Sequence, residues 1–169
     1  VWEDASNKIA YDVRRKHVLG GHCDGVMNYP VRNAILGFLL GGKGDWLQDV
    51  VETQRQNYPR WAFYSGMNSL GTHDTLRILT LLGEENDRRG DTSRDWRSQY
   101  RLCPEKRTLA VKRLKLGSLL LYALPGSPTL YYGDEAGLEG AADPFNRRTY
   151  PWGRENQALL TWFRWLGQL

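Results

Sequence analysis

The feature that most constrains this chain is its repeated switch between short apolar runs and stretches with helical spacing. Gly25-Val26-Met27-Asn28-Tyr29 reads as a short buried strand that Pro30 ends. Ala34, Ile35, Phe38 and Leu39 then recur at helical intervals up to Gly41-Gly42, and Asp45 is placed to cap a helix carrying Trp46, Leu47, Val50 and Val51. A strand is predicted around Ser65 to Leu70 and another over Thr129-Leu130-Tyr131-Tyr132, ending at Gly133. Between them lies the clearest helix, Lys106 to Ala123, with Leu109, Val111, Leu114, Leu119 and Tyr122 as its apolar positions. A last helix runs from Glu155 to Leu166 on Leu159, Leu160, Phe163 and Leu166. Lys8 to Arg15 is a short charged helix candidate, and the polar, aperiodic stretch from Gly83 to Lys106 reads as a long loop.

Alternating strands and helices predict βα units on a parallel sheet. The polar residues that stand out follow the strands: Asn28 and Tyr29 after one, His73 and Asp74 after another, Asp134 and Glu135 after a third. In parallel α/β folds the carboxyl ends of the strands face the ligand. A complete (β/α)8 barrel takes about 250 residues, so 169 residues hold three or four of its units.

Composition excludes several classes. Hydrophobic residues make up 41% and charged residues 25%, enough for a packed core. The net charge of +4 is spread without a basic arm, which argues against a nucleic-acid domain. No apolar run approaches the roughly 20 residues of a membrane span. Cys23 and Cys103 build neither a disulfide framework nor a Cys-x-x-Cys motif, so a cytosolic setting is compatible. His22-Cys23 lacks zinc partners nearby. Asp87, Asp91 and Asp95 recur every fourth residue, where a calcium loop wants alternate positions and a Gly turn. No metal or cofactor is expected.

The informative segment is Met67 to Arg77, in which a buried strand enters a glycine turn and then presents His73 beside Asp74. A bare His-Asp pair reads more readily as a loop histidine beside an aspartate that caps the next helix than as a site. The extended string Asn68-Ser69-Leu70-Gly71-Thr72-His73-Asp74 resembles the strand-seven signature of the α-amylase family of glycoside hydrolases. Val1-Trp2-Glu3-Asp4-Ala5 resembles the tail of that family's Glu-Val-Trp motif at strand five, and Asp24 to Pro30 the strand-six segment of its neopullulanase and cyclomaltodextrinase branch. Pro125 to Glu135 is similar to the strand-eight motif, and Asp143-Pro144 with Arg147 to the loop after it. The pieces stand in family order along essentially the whole chain.

The resemblance implies an α/β chain that is the C-terminal portion of a (β/α)8 barrel: three parallel strands with flanking helices, from strand six to helix eight. Residues 1–169 are expected to form one partial catalytic domain, with cut ends, without the N-terminal half of the barrel or the C-terminal β domain. It implies retaining hydrolysis of α-glucosidic bonds in maltodextrin- or starch-type glucans, with one carboxylate as nucleophile and one carboxylic acid as proton donor about 5 to 5.5 Å apart. In the family these are an Asp at strand four, whose segment is not in this sequence, and the Glu immediately before Val1. Glu3 does not replace it, because the motif needs the acid ahead of Val.

By the same resemblance Asp74 is the third carboxylate, which binds two hydroxyls of the sugar being cleaved and stabilises the transition state. His73 donates to that sugar. Asp143 and Arg147 correspond to a pair that holds more distant glucose units, with an ordinary surface ion pair as the alternative. Trp2 corresponds to an aromatic platform, or else to a core-filling aromatic. Arg77 either orients Asp74 or pairs with it on the surface, and Asp134-Glu135 reads as a structural hydrogen-bonding pair.

The implied partner is an α-glucan oligosaccharide, and open sheet edges favour self-association. A transglycosylase of the same family, and a non-catalytic carbohydrate-binding or structural remnant, are the competing readings. The 169 residues alone are expected not to hydrolyse starch, pullulan or cyclodextrins. A reducing-sugar assay on the purified chain checks this; turnover abolished by Asp74→Ala contradicts it.

Overall fold

The computed structural model describes residues 23–84 and 93–169. The predicted helix at Lys8 to Arg15, the Trp2 segment, His22, Asp87 and Asp91 lie outside the described residues. The elements in chain order are α1 (Tyr29–Leu39), α2 (Asp45–Asn57), α3 (Arg60–Ser65), β1 (Met67–Ser69), α4 (Ile78–Glu84), α5 (Arg94–Gln99), α6 (Pro104–Ala123), β2 (Ser127–Thr129) and α7 (Gln157–Leu166). Among the described residues no helix is long and apolar enough to cross a membrane. They form two compact units, the first comprising residues 23–69 with Leu120–Thr129, the second Leu70–Leu119 with Leu130–Leu169.

In the first unit β1 and β2 pair in parallel, with Met67 opposite Ser127 and Ser69 opposite Thr129. Met27 joins the other side of β1 by a single parallel bridge to Met67. The parallel arrangement is as expected, and its extent is smaller. The segment at Val26 contributes one bridge because Asn28 leaves the extended path and caps α1, its side chain accepting from the Val31 N–H. Tyr29 and Pro30 are therefore the first turn of a helix, where proline's missing N–H costs nothing, rather than the end of a strand. Ser65 likewise belongs to α3, so the strand begins only at Met67. Asp45 is the first residue of α2 and makes no capping bond; its charge there complements the helix dipole.

The last strand also differs from expectation. It spans Ser127–Thr129, and Leu130 to Tyr132 have left the sheet. Gly126 supplies the sharp entry with φ +126°, and a Cβ there would lie 2.6 Å from Asn68 Nδ2. Pro128 has no N–H to donate, which suits a strand that, among the described residues, pairs on one side.

The interior of this unit is tied by side-chain amides. Asn68, wholly buried, donates from Nδ2 to the Pro125 carbonyl at 2.8 Å and accepts from Asn28 Nδ2 at 2.9 Å. Asn28 also donates to Gln54 Oε1 and accepts from Gln54 Nε2 at 2.7 Å. The three sheet segments and α2 are thus stapled by groups that cannot be buried unpaired.

In the second unit α6 buries Ala110, Leu114 and Ser118, a stripe at intervals of four. Leu109 and Leu119, predicted as core positions, are exposed because they lie off that stripe. Ser118 Oγ accepts from Trp162 Nε1 of α7 at 2.9 Å, which is why a serine sits among the leucines. Helix α7 packs Leu159, Phe163 and Leu166 inward, and Asn156 caps it by accepting from the Leu159 N–H. The predicted loop from Gly83 to Lys106 contains α5, which Ser93 caps by accepting from the Trp96 N–H. That helix is short and has no buried residue, so it leaves no apolar period to read.

Replacing Asn68 by Leu strands the Pro125 carbonyl and one Asn28 donor in the interior. A loss of about 2 kcal/mol is expected in urea unfolding, with the m-value unchanged; a neutral result contradicts the stapling role.

Candidate functional site

The candidate site lies in the second unit, where β1 gives way to a tight turn. Gly71 opens it because no side chain fits: a Cβ there would lie 2.2 Å from Asp134 Oδ2. The turn closes on threonine hydroxyls. The Thr72 N–H donates to Thr75 Oγ1 at 3.2 Å and the Asp74 N–H to Thr72 Oγ1 at 3.3 Å. This holds His73 and Asp74 outward, each side chain about half exposed, at 51% and 50%. His73 Nε2 stands 3.2 Å from Asp74 Oδ2.

A second loop supplies the partners. Arg147 Nε donates to Asp143 Oδ1 at 2.6 Å, and Arg147 Nη2 lies 3.7 Å from Asp74 Oδ1. The hydrogen bond to Asp143, with the Asp143, Tyr131 and Asp74 side chains nearby, raises the Arg147 pKa against the opposing effect of burial. The guanidinium is therefore a fixed cation. Four of the five residues singled out in the sequence, His73, Asp74, Asp143 and Arg147, thus stand in one hydrogen-bonded and ion-paired row. Trp2 lies outside the described residues. Half-exposed pairs of this kind contribute little to stability, while their oxygens and N–H groups remain accessible to solvent.

Two residues whose importance was not legible hold the loops together. Asn146, wholly buried, donates from Nδ2 to the His73 carbonyl at 2.6 Å and to the Thr75 carbonyl at 2.8 Å. It sits next to Arg147, so one side chain sets the register of both loops. Its backbone carbonyl accepts from Arg77 Nε at 2.5 Å. Asn146 stands in a loop without period, and nothing in its sequence neighbourhood marks it as buried.

Arg77 behaves differently from either sequence reading. It is not on the surface but 1% exposed, and its bond to the Asn146 carbonyl reaches the Asp74 turn indirectly rather than by pairing with Asp74. Its Nη1 donates to the Tyr132 carbonyl and stands 3.4 Å from Asp134 Oδ1. Its guanidinium carbon is 4.3 Å from the Tyr131 ring centroid and 4.4 Å from that of Tyr132, contacts that offset part of the desolvation cost of the charge. Burial raises the pKa of Tyr131. Asp134 is a structural partner, as expected, and the partner is Arg77. Among the described residues no group of three or more His, Cys, Asp or Glu side chains is placed to hold a metal.

The row combines carboxylate, guanidinium and imidazole groups, a set of donors and acceptors chemically suited to polar, hydroxyl-bearing ligands. Comparison with known proteins narrows this. No family model matches the chain. It is 39% identical over 175 residues to an amylopullulanase of Thermoanaerobacter thermohydrosulfuricus, a match covering 96% of this chain and 11% of that protein. It is 33% identical over 135 residues to a cyclomaltodextrinase of a Bacillus species, covering 79% of this chain and 20% of the relative. Among solved structures, the cyclic alpha-maltosyl-(1→6)-maltose hydrolase of Arthrobacter globiformis in complex with maltose superposes with a TM-score of 0.70 at 30% identity, over 90% of this chain and 30% of that one. An Anoxybacillus alpha-amylase superposes with a TM-score of 0.72 at 27% identity, over the full chain and 31% of that protein.

The chain belongs to the α-amylase family of glycoside hydrolases. Its relatives include enzymes named amylopullulanase, maltogenic alpha-amylase, cyclomaltodextrinase and neopullulanase, all α-glucan hydrolases. It spans 11% of the length of the amylopullulanase and between 20% and 24% of the others.

Arg77→Met removes the guanidinium that Asp134 faces in the interior. A loss of about 3 kcal/mol is expected, and Arg77→Met with Asp134→Leu is expected to recover a substantial part. Urea unfolding of the two variants and the parent measures both, and equal losses would remove the buried pair as the cause.

Proposed function

We propose that the chain is the strand-six to helix-eight portion of a (β/α)8 catalytic domain that cleaves α-glucosidic bonds in maltodextrin- or starch-type glucans with retention of configuration. The observation that carries this reading is the single row formed by His73, Asp74, Arg147 and Asp143 in a chain of this family. The parallel pairing of β1 with β2 and the bridge from Met27 support the barrel assignment. Residues 1–169 are assigned to that one domain.

Asp74 acts as the third carboxylate. It accepts hydrogen bonds from two hydroxyls of the sugar at the cleavage point. Those hydroxyls become better donors as the ring takes on oxocarbenium character, so the contact strengthens toward the transition state. Only interactions of that kind raise kcat. His73, fixed through its carbonyl by Asn146, donates to the same sugar. Arg147 and Asp143 present a donor and an acceptor to a neighbouring glucose unit and set its orientation. Trp2 provides an aromatic face beside the cleavage point. The nucleophile and the proton donor are carboxylates other than these.

The test is steady-state kinetics of the gene product on a maltooligosaccharide series. Asp74→Asn keeps the size and loses the charge; it is expected to lower kcat by roughly 100-fold or more, the cost of removing one transition-state stabiliser. Arg147 grips a sugar that does not react, so Arg147→Ala is expected to raise KM with kcat nearly unchanged. An Asp74→Asn effect confined to KM removes Asp74 from the catalytic role.

A further inference from the structure

Away from the residues of the glycan row, the second unit holds a cavity of about 430 Å3 lined by Arg101, Arg107, Arg148 and Arg154, with Glu139 and Thr149. Its charge is unbalanced. Glu139 is its one carboxylate and is already committed: Oε1 pairs with Arg107 and Oε2 accepts from the Leu102 N–H at 2.7 Å. Among the described residues Arg101, Arg148 and Arg154 make no ion pair at this cavity, although the charge of Glu139 also acts on Arg148.

Their placement is not that of loose surface arginines. Arg148 is partly buried and anchored on two sides, Nε donating to the Phe145 carbonyl at 3.2 Å and Nη2 to the Ser98 carbonyl. Burial and the charge of Arg101 push its pKa down, so two like charges are held near each other. Arg101 makes one side-chain bond, to its neighbour's carbonyl on Tyr100 at 2.6 Å. Among the described residues Arg154 has no side-chain hydrogen bond or ion pair, although it lines the same cavity. Like charges so arranged are unfavourable on their own, and they are relieved by an anion with several acceptor oxygens.

We propose that this cavity is a binding site for a phosphate dianion, free or as the monoester of a small molecule. Guanidinium forks match tetrahedral oxyanions in paired hydrogen bonds. A charge close to −2 answers three guanidinium groups that lack ion pairs of their own better than a single carboxylate does. The volume falls within the range of small-molecule sites and exceeds what bare phosphate needs. Arg101 and Arg154 supply the mobile donors, Arg148 the fixed one, and Thr149 a hydroxyl at the rim. The site shares no residue with the glycan row, and it stands whether or not the assignment of Asp74 holds.

Isothermal titration of the chain with inorganic phosphate, with a hexose monophosphate and with acetate, at matched ionic strength, tests this. Saturable one-to-one binding is expected for the phosphates and none for acetate. A monoester that binds more tightly identifies the esterified ligand, and equal affinity identifies the free ion. Arg101→Gln and Arg154→Gln, which give up at most one protein bond each, are expected to weaken binding about tenfold with unchanged near-UV circular dichroism. Arg60→Gln, at a different cavity in the first unit, removes the same net charge and is expected to have no effect. Phosphate binding no stronger than acetate, or an Arg60→Gln loss equal to that of the cavity variants, overturns the proposal.

Discussion

The second unit depends on a buried guanidinium. Arg77 is a permanent cation at 1% exposure, and a charge so placed persists only if most of its donors are met. The Asn146 and Tyr132 carbonyls and the Asp134 carboxylate meet Nε and Nη1, two tyrosine rings flank the plane, and Nη2 is left buried without a hydrogen-bond partner among the described residues. Each partner comes from a different part of the loop region after residue 130, so the requirement to satisfy one side chain shapes several turns at once. Gly71 is drawn into the same arrangement, because the Asp134 carboxylate occupies the space a Cβ would take.

The candidate site inherits its geometry from that arrangement. Asn146, whose carbonyl Arg77 binds, reaches back to the His73 and Thr75 carbonyls and thereby places His73 and Asp74 beside Arg147. The chemistry-bearing side chains are half exposed and contribute little to stability. The residues that hold them are fully buried. Stability and ligand contact are thus divided between neighbouring residues of the same two loops, and a loop site can be precise when its backbone carbonyls are the anchored atoms.

Much of this was legible in the order of residues. Helices α1, α6 and α7 carry enough turns for an apolar period to show, and the punctuation by Gly41, Pro125 and Gly126 is local chemistry. The resemblance of the Asn68 to Asp74 string to a glycosidase signature led to His73 and Asp74, and that of the loop at Asp143-Pro144 led to Asp143 and Arg147. Short elements failed for a common reason. Three-residue strands have too few alternations to define a face, α5 buries nothing, and Tyr29-Pro30 reads as a strand end until Asn28 is seen to cap a helix.

The sequence by itself determined the family, the alternation of strand and helix, and the identity of the polar residues at the strand ends, because these reside in local pattern and motif. Only the tertiary structure decided that Arg77 is an interior cation rather than a partner of Asp74. Only it decided that Asn146 joins two loops, and that four arginines dispersed between residues 101 and 154 line one cavity. Those facts depend on which distant backbone carbonyl or carboxylate lies within about 3 Å of a donor, a relation between segments some 30 to 70 residues apart in the chain that no local periodicity encodes.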